Sequence, residues 1–277
     1  GDDPAAALVH LEIGRIYEEH LGRIRQAADA YQRAHQISAR EPTILHACRR
    51  LFAVAGQWAM VVEILRDEVE AAEAPERKAT LLAELGGILE EKVRDEAAAV
   101  AAYRSAIELW PAEPIAISAL ERVFLVQHRY EELLQIYEGA LAVVTDAERR
   151  LPLSMSAGQI AEDRLDATDR AIGHYREVLR LDPENEIALA ALRRLTHRSE
   201  QWGEFVEVLL RSAELAKDGE VRASYLLGAS RVQDEHLDQP DRALRSLLKA
   251  LESTPSDLSI LRDIETLYER NHRFEDV

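Results

Sequence analysis

An internal period of 72 residues constrains this chain more than any other feature. The segment IYEEHLG at 16–22 returns as ILEEKVR at 88–94, as IAEDRLD at 160–166 and as VQDEHLD at 232–238. Self-similarity at a fixed interval marks a repeat architecture, in which each unit buries its apolar face only by stacking on its neighbours. The unit is two unlike halves, A and B, of about 36 residues each. In A, a small residue recurs at Gly14, Gly86, Gly158 and Ser230, and alanine at Ala27, Ala99, Ala171 and Ala243. Four residues after each alanine come Tyr31, Tyr103, Tyr175 and Leu247, and Pro111, Pro183 and Pro255 close three of the four halves. In B, an aromatic recurs at Trp58, Tyr130, Trp202 and Phe274. Core positions recur at Leu51, Val123, Leu195 and Leu267, and again at Ile64, Ile136 and Val208.

The spacing within each half is helical. Leu81, Leu82, Leu85, Ile88 and Leu89 form an i, i+3, i+4, i+7 stripe. The breaks carry turn chemistry, with Gly56-Gln57 before Trp58 and Pro240 at the opening of a helix. No strand-like alternation of any length is present, and Ala, Leu, Glu and Arg, all strong helix formers, dominate. The expected fold is all-α: an α-solenoid of about seven to eight helical hairpins. A tail at 1–6 precedes a single array over 7–277, with units 7–76, 77–148, 149–220 and a truncated 221–277. The chain opens on GDDPAAA without a starting Met, and its eighth hairpin stops at Val277, early in its second helix. Both features suggest a segment of a longer array.

The formal net charge of −17 argues against nucleic acid and against anionic membrane surfaces, because phosphate contacts need a basic face. It suits basic partners. One cysteine, Cys48, builds neither a disulfide nor a cysteine zinc site, and its helical surroundings make it a small core residue. No run approaches about 18 apolar residues, and the N-terminus is not a signal peptide. These features suggest a cytoplasmic protein, and 30 Arg against 4 Lys suggests a bacterial source.

The residues resemble the tetratricopeptide repeat family over roughly 7–277. Gly14, Tyr17, Ala27, Tyr31 and Ala34 supply the family pattern in the first hairpin; Gly86, Ala99, Tyr103, Ala106 and Pro111 supply it in the third, with Leu89 replacing the first aromatic. Two departures stand out. The A halves carry about one extra residue between their helices, and the B halves place Arg49, Glu121 or Arg193 where a small residue belongs. The resemblance implies a right-handed α-solenoid superhelix with a concave groove, lined by the first helix of each hairpin, that holds peptides or helices of a partner. It also implies no catalysis and no cofactor. Phosphate-loop, metalloprotease, nucleophile-elbow and dinucleotide motifs are all absent from the sequence.

Four acidic pairs follow the period: Glu18 and Glu19, Glu90 and Glu91, Glu162 and Asp163, Asp234 and Glu235. Consecutive helical residues lie about 100° apart around the axis, so a pair does not converge on one metal or one proton, even beside His20 or His236. Equivalent pairs sit two interhelix steps apart, about 16–20 Å, beyond the carboxyl separation of a glycosidase. Catalysis and metal binding are therefore not expected. A second row, Arg50, Arg122 and Arg194, lies one step away. The pairs end their helices, where the macrodipole disfavours negative charge, so they want a partner: the Arg row, or a ligand in the groove. The two rows form the expected partner-binding face of a non-catalytic scaffold. The carboxylate clamp of some family members is absent, because Asn185 and Asn271 occupy other places. The aromatic series is expected to pack between hairpins, while Trp110 belongs to no series. A regulatory arm of a larger protein, or self-assembly through an exposed array end, stays open as an alternative.

Overall fold

The computed structural model describes residues 4–270. The chain divides into two compact units, residues 1–144 and 145–277. The first holds α1 (Pro4–Arg15), α2 (Ile24–Ile37), α3 (Pro42–Val54), α4 (Trp58–Ala71), α5 (Pro75–Ile88), α6 (Glu96–Leu109), α7 (Pro114–Val126) and α8 (Tyr130–Val143). The second holds α9 (Ala147–Asp163), α10 (Thr168–Leu181), α11 (Glu186–Arg198), α12 (Trp202–Leu215), α13 (Gly219–Glu235), α14 (Pro240–Ser253) and α15 (Leu258–Arg270). Within each unit every helix packs on the next in the chain, as the helical periodicity requires. Among the described residues there is no strand. Asn271, Phe274 and the start of the expected eighth second helix lie outside the described residues.

The core follows the repeat. Ala27, Ala99, Ala171 and Ala243 are buried, as are Leu51, Leu195, Leu267, Ile64 and Val208. Val123 and Ile136 are only partly covered; in that hairpin Leu120, Phe124, Leu133 and Tyr137 take the interior instead. Cys48 is buried, with its thiol against the Tyr31 carbonyl at 3.4 Å, and burial pushes its pKa up to about 12. Asn185 caps α11, accepting from the Ala188 N–H at 3.1 Å.

The extra residue of the A halves has a structural form. In B hairpins the turn closes by an i+5 to i bond: Gln57 N–H to Phe52 O at 2.8 Å, Arg129 to Phe124 at 2.9 Å, Gln201 to Thr196 at 2.9 Å. In A hairpins the bond spans one residue more: Arg23 to Tyr17 at 2.8 Å, Asp95 to Leu89 at 2.9 Å, Ala167 to Ala161 at 2.8 Å, Gln239 to Gln233 at 2.8 Å. The insertion widens the last turn to π-helix at Ile16–His20 and Leu89–Val93. Both turn types place one residue in the left-handed region at fixed register. These are Gly22, Arg94, Asp166 and Asp238 in A, and Gly56, His128 and Glu200 in B. Side chains with a Cβ are strained there, at about 1–2 kcal/mol each. Arg94→Gly, with φ +66°, should therefore raise stability by about 0.5–1 kcal/mol after the unfolded-state entropy of glycine is subtracted. Urea unfolding checks this, and a loss of stability would show that the side chain contributes more than its strain costs.

Candidate functional site

The site begins with the small residue of each A half. A Cβ on Gly86 would lie 2.5 Å from the Tyr103 ring, and one on Gly158 would lie 3.0 Å from the Tyr175 ring. The absent side chain lets the tyrosine of the second helix lie across the first. One turn after each glycine, a glutamate receives the tyrosine hydroxyl. Tyr31 donates to Glu18 at 2.9 Å, Tyr103 to Glu90 at 3.1 Å and Tyr175 to Glu162 at 3.1 Å. Burial, then the neighbouring carboxylate, holds these hydroxyls protonated, and the Tyr103 pKa is pushed up to about 12. Tyr31 and Tyr175 shift in the same direction.

The arginine row completes each seam. Arg50 donates to Glu18 at 2.7 Å, Arg122 donates to Glu90, and Arg194 donates to Glu162 at 2.8 and 2.5 Å. The carboxylates sit against the dipole of their own helices and are held by Tyr and Arg from the two adjacent helices. The arginines stay more than half exposed, so each ion pair contributes at most about 1 kcal/mol.

The fourth seam departs in concert. Ser230 replaces the glycine, Leu247 the tyrosine, Asp234 the glutamate and Thr266 the arginine. Arg270, one helical turn beyond Thr266, bonds Asp234 at 2.7 Å, and Ser246 bonds the buried Gln233 at 2.8 Å.

Each acidic pair is thereby split. Its first member, Glu18, Glu90, Glu162 or Asp234, is half-buried and internally bonded, while its second, Glu19, Glu91, Asp163 or Glu235, is exposed. Among the described residues no group of three or more His, Cys, Asp or Glu is placed to hold a metal. Nor is any described helix long and apolar enough to cross a membrane.

Two further sets of contacts were not legible in the sequence. The basic residue after the acidic pair lies over the aromatic of the preceding B hairpin: Lys92 over the Trp58 ring at 5.6 Å, and His236 stacked on Trp202 at 4.0 Å. This geometry places Trp58 and Trp202 in contacts between hairpins. The B-half arginines are cross-links. Arg49 makes an ion pair with Glu68 of α4 at 3.3 Å and with Glu84 of α5 at 2.5 Å, while Arg193 bonds Ser212 at 2.9 Å and lies 4.7 Å from the Tyr225 ring. A guanidinium thus stands where a small residue was expected.

These contacts define an all-helical repeat protein built from paired, unlike hairpins. Residues 116–151 match the family model for the tetratricopeptide repeat. The register of that segment recurs along the chain, so the likeness to this family is not confined to the matched residues. The matched segment contains a B hairpin, Glu121 included.

No curated protein sequence matches the chain. Similar solved structures include YrrB, a TPR protein with an unusual peptide-binding site. It is 18% identical over 74% of this chain and 99% of that one, with a TM-score of 0.39. A second is the C-terminal part of a TPR repeat-containing protein from Cytophaga hutchinsonii, 14% identical over 94% and 98%, with a TM-score of 0.40. A third is the TPR2AB domain of yeast Sti1 in complex with pHSP90, 15% identical over 96% and 98%, with a TM-score of 0.39.

Proposed function

We propose that the chain is a protein-interaction scaffold whose exposed carboxylates, Glu19 and Glu91 in the first unit and Asp163 and Glu235 in the second, receive the basic side chains of a partner. The splitting of every acidic pair carries this reading. One carboxylate in each pair closes the seam between helices; the other is exposed at the same register and has no seam to close. The net charge of −17 steers a basic partner toward these carboxylates. In the first unit, apolar positions lie one turn beyond the charged row: Leu21, Val93, Val54 at 75% exposure and Val126 at 77%. The preferred segment therefore carries basic residues interleaved with aliphatic ones. The internally bonded residues form the walls of the proposed groove within each unit: Glu18, Glu90, Arg50 and Arg122 in the first, and Glu162, Asp234 and Arg194 in the second.

The test separates the two members of each pair. Reversing Glu19, Glu91, Asp163 and Glu235 to Lys together should leave the melting temperature within a few degrees and weaken capture of partners from native extract at least tenfold. Glu90→Lys alone should lower stability, because it strands the Tyr103 hydroxyl and places a cation against Arg122. If the fourfold variant retains the same proteins as the unaltered chain, the exposed carboxylates are only a solvated surface.

A further inference from the structure

Within the second unit, α12 and α14 both pack on α13 and leave a groove between them. It encloses a cavity of about 370 Å³, within the range of small-molecule sites, about 300–1,000 Å³. Val206 and Leu210 of α12, with Leu237 from the turn after α13, give it an aliphatic side. Gly203 lines it as well, and a Cβ there would meet no atom within 4 Å. The second repeat holds Glu131 at that place.

The opposite side is cationic. Arg242, Arg245 and Lys249 line the cavity from α14, exposed on one helix face at i, i+3 and i+7. The same places hold Gln26, Asp29 and Arg33 in the first repeat, Ala98, Ala101 and Ser105 in the second, and Arg170, Gly173 and Glu177 in the third. Each of those sets is neutral, because Asp29 cancels Arg33 and Glu177 cancels Arg170. The chain has 51 Asp and Glu residues, yet Arg245 and Lys249 have no ion partner among the described residues. The Arg242 side chain bonds only the Gln239 side chain, at 3.1 Å.

A buried amide stands between the two sides. Gln233 lines the cavity and is 3% exposed. Ser246 donates to its Oε1 at 2.8 Å, and its Nε2 has no acceptor among the described residues. The other repeats hold Tyr17, Leu89 and Ala161 at the place of Gln233, and Ala30, Ala102 and His174 at that of Ser246. The bonded pair belongs to the fourth repeat alone, as the three cations do. A buried donor without an acceptor is costly, so an occupant that accepts its hydrogen bond is favoured.

We propose that this groove binds a small aliphatic carboxylate. The carboxylate accepts from Gln233 Nε2 and from the guanidinium of Arg242 or Arg245, whose planar fork matches its two oxygens. Lys249 adds a third positive charge. The tail lies along Val206, Leu210 and Leu237. The only carboxylate among the lining residues, Glu207 of α12, also acts on Arg176. The site is separate from Glu19, Glu91, Asp163 and Glu235 and does not depend on them.

The probe is octanoate, titrated into the full chain by calorimetry and located by NMR. Saturable one-to-one binding is expected, with shifts at Gly203, Gln233 and Lys249. Octanamide keeps the tail without the charge, and acetate keeps the charge without the tail; each should bind at least tenfold more weakly. Arg242→Ala, Arg245→Ala and Lys249→Ser together install the residues of the second repeat. They should weaken octanoate binding at least tenfold and leave the melting temperature within a few degrees, since all three side chains are exposed. Gly203→Glu should weaken it as well, by placing a carboxylate in the groove. The proposal is overturned if octanoate does not saturate, or if octanamide binds as tightly. It is also overturned if the triple variant binds octanoate unchanged, which would place the ligand on other exposed apolar residues. Binding of an acidic leucine-containing peptide, but not of octanoate, would overturn it too and assign the groove to a protein.

Discussion

Gly86→Ala should cost about 2 kcal/mol of stability, while Gly87→Ala, one residue on, should stabilise. A Cβ at Gly86 would meet the Tyr103 ring at 2.5–2.8 Å, closer than carbon atoms approach. The ring must move, at about 1–3 kcal/mol for overpacking. Its hydroxyl then loses Glu90, at about 1.5 kcal/mol for a bond to a charged acceptor. The higher helix propensity of alanine returns about 1 kcal/mol. At Gly87 the added Cβ finds only the Tyr103 hydroxyl, at 3.8 Å, so the propensity gain stands alone. The fourth seam supplies the rescue. Ser230 faces Leu247 there, so Gly86→Ser combined with Tyr103→Leu should recover much of what Gly86→Ser loses by itself. Additive losses in that double-mutant cycle would refute the coupling.

Arg49→Ala should destabilise the first unit by about 2–4 kcal/mol near neutral pH, because it leaves Glu68 without the cation that faces it. The Glu68 side chain is only 10% exposed. Burial raises its pKa, the Arg49 charge opposes that rise, and Glu84 adds to it. A carboxyl with a folded-state pKa above its unfolded value binds more protons folded than unfolded. Stability therefore increases as pH falls through that window. In the variant the largest opposing charge is gone, Arg77 and His46 remaining, and the window widens, so the defect should shrink as the pH is lowered toward the ordinary carboxylate range. Arg49→Met with Glu68→Leu should repair it at every pH, because a packed apolar pair replaces a buried ionic one. Thermal melts across pH check both statements. A defect of constant size from neutral to acid would sink the assignment to Glu68.

Much of the architecture was legible because a helix writes its contacts into a local period. Gly14, Ala27 and Tyr31 recur at 72 residues with their spacing intact, and the hairpins and their turns follow. The fourth seam was legible in principle too. Ser230, Leu247, Asp234 and Thr266 all depart within one unit, which is a sign that those positions touch. The arginine at position 49 read as an anomaly because its partners, Glu68 and Glu84, lie in two other helices and only one of the three positions draws notice in the sequence. The left-handed residues were equally hidden, since Arg94, His128 and Glu200 carry no glycine to mark the turn.

The sequence by itself determined the helices, their pairing and the register of the acidic pairs, because periodicity and turn residues act over a few positions of chain. It could not divide Glu18 from Glu19, two identical side chains one peptide bond apart. The tertiary structure decided that. Tyr31 from the second helix and Arg50 from the next hairpin converge on Glu18, and the rotation between consecutive helical residues carries Glu19 out to solvent. Which carboxylate closes a seam and which remains available to a partner depends on what a neighbouring helix brings to that side of the axis.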